Sequence, residues 1–328
     1  MTEPEPQSVS AKIAESRRPF HGKAALEDPV VRSRFRERAD IILADLRMLE
    51  KVGVLFTPFL EIGAGSVQRS AALINNYPVD GVATDISQQS LRDAPYVLSM
   101  LDYDQAPMLI SCDAHNIPFL PNSFQFVFAY QTLHHFENPI PVLVECYRVL
   151  GKGGHLFFNE EPMDSRFRRL LRAKRVLSHP PTRMQRLGHY LGVEKIFWDD
   201  GKHERLLGMT EARFDIDLWR KALRPFKLVD VEINRKLKMH SNLEKPTLNA
   251  FLSGFIGGNV KGLCMKTEGD AVTGNFRDRL MCIDCKLPQL SRMADKQLVC
   301  GNCGRAYPIT DEIVRMLPEQ LEAELYPQ

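Results

Sequence analysis

Leu60-Glu61-Ile62-Gly63-Ala64-Gly65, with Asp85 twenty residues beyond the second glycine, decides the fold. An apolar run over 52–60, broken by Pro58, meets a carboxylate and then two glycines spaced G-x-G. That order predicts a β-strand entering a tight turn where a ligand comes close to the backbone. A second apolar segment, 79–85, closes on Asp85, where a carboxylate can accept hydrogen bonds from a ribose diol. Together they predict an adenosine-bearing cofactor at the carboxyl ends of a parallel sheet. A dinucleotide site calls for a third glycine in G-x-G-x-x-G, so that the helix packs close and its N-terminus holds a pyrophosphate. That position is Gln68. A carboxylate directly before the first glycine suits a ligand with a cationic end, and S-adenosylmethionine carries both an ammonium and a sulfonium.

The segments that follow keep the same order of parts. Ser111-Cys112-Asp113-Ala114 follows a short apolar run and precedes Ile117-Pro118-Phe119. Asp113 can accept from an adenine amine, and the backbone at Ala114 can pair with the ring edge. Residues 123–129 read as a buried strand, leading into Tyr130-Gln131-Thr132-Leu133-His134-His135-Phe136. Residues 141–150 carry Val142, Cys146 and Val149 near one helical face, and Gly151-Lys152-Gly153-Gly154 stops that helix. Residues 155–159 read as a further strand. Upstream, 28–52 reads as an amphipathic helix, with Ile41, Ile42, Leu46 and Leu49 between charges.

Residues 58 to about 162 resemble the class I S-adenosylmethionine-dependent methyltransferases, in particular the type 11 group that methylates small molecules. The carrying residues are Glu61-x-Gly63-x-Gly65, Asp85, Asp113-Ala114, Leu133-His134-His135 and Glu145-x-x-Arg148-Val149-Leu150-x-x-Gly153-Gly154. The family's third glycine is Val67 here, and its aspartate after the phenylalanine of the fourth strand is Gln125. The resemblance implies an α/β fold: a Rossmann-like, seven-stranded, mostly parallel sheet with an antiparallel edge hairpin. It also implies that Glu61, Gly63, Gly65, Asp85, Ile86, Asp113 and Ala114 bind the cofactor and that Tyr130 lines the methyl-donor pocket. The segments 227–236 and 261–267 fit the hairpin, joined through 246–258.

Composition bounds the remainder. At 328 residues, with a formal net charge of +2, the chain is long enough for one large core plus an appendage and does not by itself call for nucleic acid. No apolar run reaches the length of a membrane span, and residues 1–16 lack the apolar core of a signal peptide. Residues 1–27 are expected to form a disordered tail, and the protein is expected to be cytoplasmic. Seven cysteines, four of them in two C-x-x-C pairs, fit a reducing compartment with a metal site. Cys282, Cys285, Cys300 and Cys303 form those pairs, fourteen residues apart, and place four thiolates for structural Zn²⁺; redox dithiol chemistry is the lesser alternative. Gly304 permits the tight turn after the second pair. The continuation Arg305-Ala306-Tyr307-Pro308-Ile309 and Met316-Leu317-Pro318 resembles the small zinc-ribbon activator subunit that partners several tRNA and protein methyltransferases.

The domain organisation expected is therefore a methyltransferase domain over 28–267, a linker over 268–279 and a zinc-ribbon module over 280–328. Residues 163–226 are an insertion expected to form the acceptor lid. Eight Lys/Arg and one acid fall between Met163 and His189, with Arg166, Arg168, Arg169, Arg172 and Arg175 around Phe167, Leu170, Leu171 and Leu177. This pattern fits a solvated helix, an anionic acceptor, peripheral contact with an anionic membrane, or RNA. Phe197-Trp198-Asp199-Asp200 and Phe214-Asp215-Ile216-Asp217-Leu218-Trp219 add aromatic surface.

Methyl transfer from a sulfonium needs the acceptor positioned and, for a hydroxyl, its proton removed. His134 or His135 is the candidate base, against the alternative that both only pack and cap; Glu160 and Glu161 are further candidates for acceptor contact. The Asn/Asp-Pro-Pro-Tyr/Phe motif of adenine and glutamine N-methylation is absent, and so is a Pro-Cys nucleophile for pyrimidines. The expectation is O-methylation of a small molecule or a glycan or lipid-linked intermediate. The alternative is a tRNA- or protein-modifying enzyme that uses the zinc module and the basic insertion.

Overall fold

The computed structural model describes residues 12–13, 16–18, 28–164, 212–233, 239–240, 257–293 and 296–327. The basic stretch, Phe197–Asp200 and most of the 246–258 connection lie outside the described residues.

Helix α1 (Pro29–Lys51) starts where Asp28 accepts from the N–H groups of Val30 and Val31, with Pro29 in the first turn. Its buried stripe packs Ala39, Ile42, Leu46 and Leu49 on the sheet and Phe35 against Val97 and Met100. The chain then alternates β1 (Phe59–Ile62), α2 (Gln68–Asn76), β2 (Gly81–Asp85), the short α3 (Gln88–Leu91), α4 (Ala94–Leu101), β3 (Met108–Cys112) and β4 (Phe124–Tyr130). A 3₁₀ turn at Leu133–His135 leads to α5 (Ile140–Val149) and the long β5 (Leu150–Met163). Lys266 closes the end of α5: its Nζ donates to the carbonyls of Tyr147 and Leu150 at 2.8 and 2.6 Å. Helix α6 (Ile216–Ala222), capped by Asp215, stacks Trp219 flat on Phe158 of β5 at 5.1 Å.

The strands β6 (Lys227–Ile233), β7 (Met239–His240) and β8 (Gly258–Met265) complete one flank. β8 runs antiparallel between β5 and β6, and β7 pairs with β6. The core order is thus β6-β8-β5-β4-β1-β2-β3, with parallel pairing from β5 through β3. These are the seven mostly parallel strands with an antiparallel edge expected from the sequence.

Among the described residues, however, the sheet has twelve strands. Beyond the cysteine pairs come β9 (Leu290–Met293), β10 (Gln297–Cys300), β11 (Ala306–Thr310), β12 (Ile313–Met316) and α7 (Glu319–Leu325). β12 lies parallel to β3, pairing Ile313 with Leu109 through Met316 with Cys112. The zinc-ribbon module is therefore an extension of the central sheet. The cause is an unfilled edge: β3 would otherwise present a row of bare N–H and C=O groups, and β12 satisfies them while burying Ile313 and Met316. Residues 268–279 are also built in, with Phe276 buried against Phe119 and Phe124.

Candidate active site and metal centre

A narrow cleft opens at the carboxyl ends of β1, β2 and β3, lined by Ile62, Gly63, Thr84, Asp85, Ile86, Cys112, Ala114, Thr132, His135, Phe136 and Arg18. Larger depressions along α1 and around 74–80 are open surface grooves away from the strand ends.

The floor is the glycine turn. Gly63 (φ +67°) and Gly65 (φ +53°) are left-handed, and a Cβ on Gly63 would lie 2.3 Å from Thr132 Cγ2. Gly65 N–H donates to Asp85 Oδ2 at 2.8 Å, and Ser87 N–H donates to Oδ1 at 2.8 Å. Each Asp85 oxygen therefore keeps a lone pair for a ribose diol. Val67, where the family has glycine, also sits at φ 71°, a strained conformation for a β-branched residue.

The quoted residues divide in their placement. Gly63, Asp85, Ile86 and Ala114 line the cleft, and Gly65 braces it through Asp85. Asp113 is buried behind Ala114, with its oxygens on His115 and on Lys12 Nζ. Burial alone would raise its pKa, but hydrogen bonding and charge from His115, with Lys12, hold it at about 2. Tyr130 is not among the lining residues. Its ring packs on Phe128 and Phe157, and its hydroxyl donates to Asp45 Oδ2 at 2.9 Å. Glu61 caps α2, accepting from Ser70 N–H at 3.1 Å through Oε2, while Oε1 has no hydrogen-bond partner among the described residues. Burial pushes Glu61 up to about 7.

That orphaned Oε1 tests the fit of the cofactor. A buried acceptor with no donor is filled when a ligand supplies one, and an ammonium does so. Glu61, the glycine turn and Asp85 thus fit the donor S-adenosylmethionine from its amino-acid end to its ribose.

A second group of polar side chains gathers where β4 and β5 leave the sheet core. Glu161 is fully buried and accepts from the N–H groups of Thr132, Leu133 and His134, at 2.7, 3.0 and 3.1 Å. Its Oε2 also accepts from His134 Nδ1 at 2.9 Å. Burial opposes ionisation, but these bonds and the His134 charge hold its pKa below the ordinary carboxylate value. His134 and His135 lie ring against ring, with centroids 4.4 Å apart. Gln131, just past β4, and Glu160, within β5, both adopt positive φ and are joined by a 2.9 Å hydrogen bond. Cys112, though in the cleft wall, has its pKa driven far up by burial and stays a thiol.

Sequence reading missed Thr132, Arg69 and Arg18. Thr132 lay unremarked inside a quoted segment. Arg69, 4% exposed, stands in the first turn of α2 against Tyr130; a charged residue on an otherwise buried helix face was the signal. Arg18 comes from the segment expected to be a tail.

At the far side of β3, the Sγ atoms of Cys282, Cys285, Cys300 and Cys303 lie within 4.8 Å of one another. Separations of 3.6 Å (Cys282–Cys303) and 3.5 Å (Cys285–Cys300) are close to the roughly 3.8 Å between vertices of a tetrahedral Zn–S₄ site. After each knuckle the chain turns through a left-handed residue, Lys286 and Gly304. The donor set fits Zn²⁺.

Among the described residues no helix is long and apolar enough to cross a membrane. Residues 60–158 match the type 11 family described as "Methyltransferase domain". A UPF0434 protein of Nitrosococcus oceani is 46% identical over 41 residues, 12% of this chain and 70% of that protein. Among solved structures, the complex between the Haloferax volcanii Trm112 methyltransferase activator and a methyltransferase is similar at 16% identity and TM-score 0.44, over 80% of this chain and 99% of that one. Magnesium protoporphyrin IX methyltransferase from Synechocystis is similar at 10% identity and TM-score 0.42, over 71% and 83%. The matched domain spans the glycine turn, Asp85 and His135, which build the cleft, and His134, which is not among the lining residues. The chain belongs to the class I S-adenosylmethionine-dependent methyltransferases and, through the shared 41-residue stretch, to the UPF0434 family.

Proposed function

We propose that the enzyme O-methylates a small molecule or a glycan or lipid-linked intermediate, with His134 as the general base. The 2.9 Å bond from His134 Nδ1 to the buried Glu161 carboxylate carries this reading. It fixes the tautomer, makes Nε2 the basic nitrogen and stabilises the imidazolium that forms when His134 takes the acceptor proton. The cofactor supplies an electrophilic methyl on sulfur. His135 and Phe136 bound the cleft where the acceptor oxygen must approach, and Asp85 and Glu61 hold the two ends of the donor. Glu161 touches no substrate and acts as a positioning residue. The four cysteines hold one structural Zn²⁺ that sets the geometry of the module.

Incubation of the pure protein with labelled methyl donor and separated RNA, lipid and soluble-metabolite fractions tests the acceptor. Label should enter a lipid or metabolite as a base-stable methyl ether. Stoichiometric labelling of unmodified tRNA would select instead the nucleic-acid reading, which the fused module favours. His134→Ala should lower turnover roughly 10²–10⁴-fold while leaving affinity for the demethylated product unchanged.

A further inference from the structure

Two buried ionic groups beside the glycine turn lack part of their bonding. Glu61, 1% exposed, has Oε1 without a hydrogen-bond partner, and Arg69, 4% exposed, has Nε and Nη2 without one among the described residues. The guanidinium lies over the Tyr130 ring, 4.6 Å from its centroid. Its Nη2 stands 3.5 Å from Glu160 Oε2, an ion pair without a hydrogen bond. Buried charges persist when paired and hydrogen-bonded; the Arg69 charge acts on Glu61, but these atoms of the two groups make no hydrogen bond to each other.

Nε and Nη2 form one edge of the planar fork, the edge that meets both oxygens of a carboxylate in parallel. Glu61 ends β1 and Arg69 opens α2, so the pair brackets Gly63-Ala64-Gly65. A carboxylate seeking a cation and a guanidinium edge seeking a carboxylate match one ligand chemistry, an α-amino acid zwitterion.

We propose that Arg69 grips the α-carboxylate of the methyl donor and of its demethylated product through Nε and Nη2, while Glu61 Oε1 takes the ammonium. The proposal rests on the methyl-donor assignment and is independent of the acceptor. Arg69 thereby senses whether the amino-acid end is intact and distinguishes the donor from adenosine thioethers that lack it.

Calorimetry on the full chain tests this with two probes, S-adenosylhomocysteine and its decarboxylated analogue, which keeps the ammonium. Arg69→Met should weaken S-adenosylhomocysteine roughly 10- to 100-fold and change the decarboxylated analogue less than about twofold, as expected for a lost charge-assisted bond. Arg69→Lys keeps a cation over Tyr130 and guards against misfolding; its affinity ratio between the probes should fall between those of wild type and Arg69→Met. Equal weakening of both probes, or wild-type affinity for S-adenosylhomocysteine in both variants, overturns the proposal. A wild-type protein that binds neither probe overturns the methyl-donor assignment itself, a separate result.

Discussion

Gly63 and Gly65 share a turn but are glycine for different reasons. At Gly63 an added Cβ meets the Thr132 side chain at 2.3 Å, whereas at Gly65 nothing lies within 4 Å and only the positive φ resists. Gly63→Ala should therefore destabilise the protein by roughly 2–4 kcal/mol, overpacking added to backbone strain. Gly65→Ala should cost about 1–2 kcal/mol; chemical denaturation of the two variants checks the order. Glu61 gives a pH signature. In the ligand-free protein it stays protonated up to about 7, against a reference of 4.5. Between those values the folded state binds more protons than the unfolded chain, so stability falls as pH rises through the window, by roughly 3 kcal/mol in all. Bound ammonium reverses the preference, because it needs the carboxylate. The rise in Tm produced by S-adenosylhomocysteine should be larger at pH 8 than at pH 6. An equal rise at both would place the ammonium elsewhere. Glu61, the glycines and Asp85 were legible in the sequence because their chemistry is local to one turn. Arg69 was not, because its role depends on the missing bonds of one guanidinium edge.

At the scale of elements, Glu161 organises the segment after β4. One carboxylate accepts three successive backbone N–H groups and a histidine. Glu161→Gln should destabilise by about 2–4 kcal/mol, since its amide presents donors where acceptors are needed. It should also lower turnover without altering product affinity; a turnover held at the wild-type level would remove His134 as the base. The α1 N-cap offers a plainer test. Asp28→Ala should cost about 1 kcal/mol, read as a shift in the denaturation midpoint at constant slope. Helix α1, the core strands and the pairing of β6 with β8 were readable because apolar periodicity and glycine stops are local. That Glu161 turns inward while Glu160 does not was hidden, because a positive φ at Glu160 breaks the alternation of strand faces.

Across the whole molecule, the module and the catalytic domain are one sheet. Besides β12 on β3, Asn116 Nδ2 donates to the Ile283 carbonyl at 3.3 Å, and Met281 N–H donates to the Pro118 carbonyl at 3.0 Å. The loop after Asp113 thus rests on the first cysteine knuckle. Metal removal should not melt an isolated tail. A strong chelator, or Cys300→Ser, should lower the Tm of the entire chain in one transition and weaken S-adenosylhomocysteine binding with it. Two separated transitions, with the upper unchanged, would make the module an independent appendage. The cysteine spacing revealed the knuckles, but pairing between strands some two hundred residues apart leaves no periodicity to read.

That long-range pairing also fixes an order in time. Ile313–Met316 leaves the ribosome long after Met108–Cys112, yet these two strands are neighbours. Throughout that interval the nascent sheet carries an open, apolar edge that other chains can pair with. The methyl-donor cleft lies at the end of that same edge, so catalytic competence arrives only after the last strands are made and the cysteines are gathered. Slow closure of so distant a contact predicts folding limited by topology, and an enzyme whose yield in a cell depends on metal supply during synthesis.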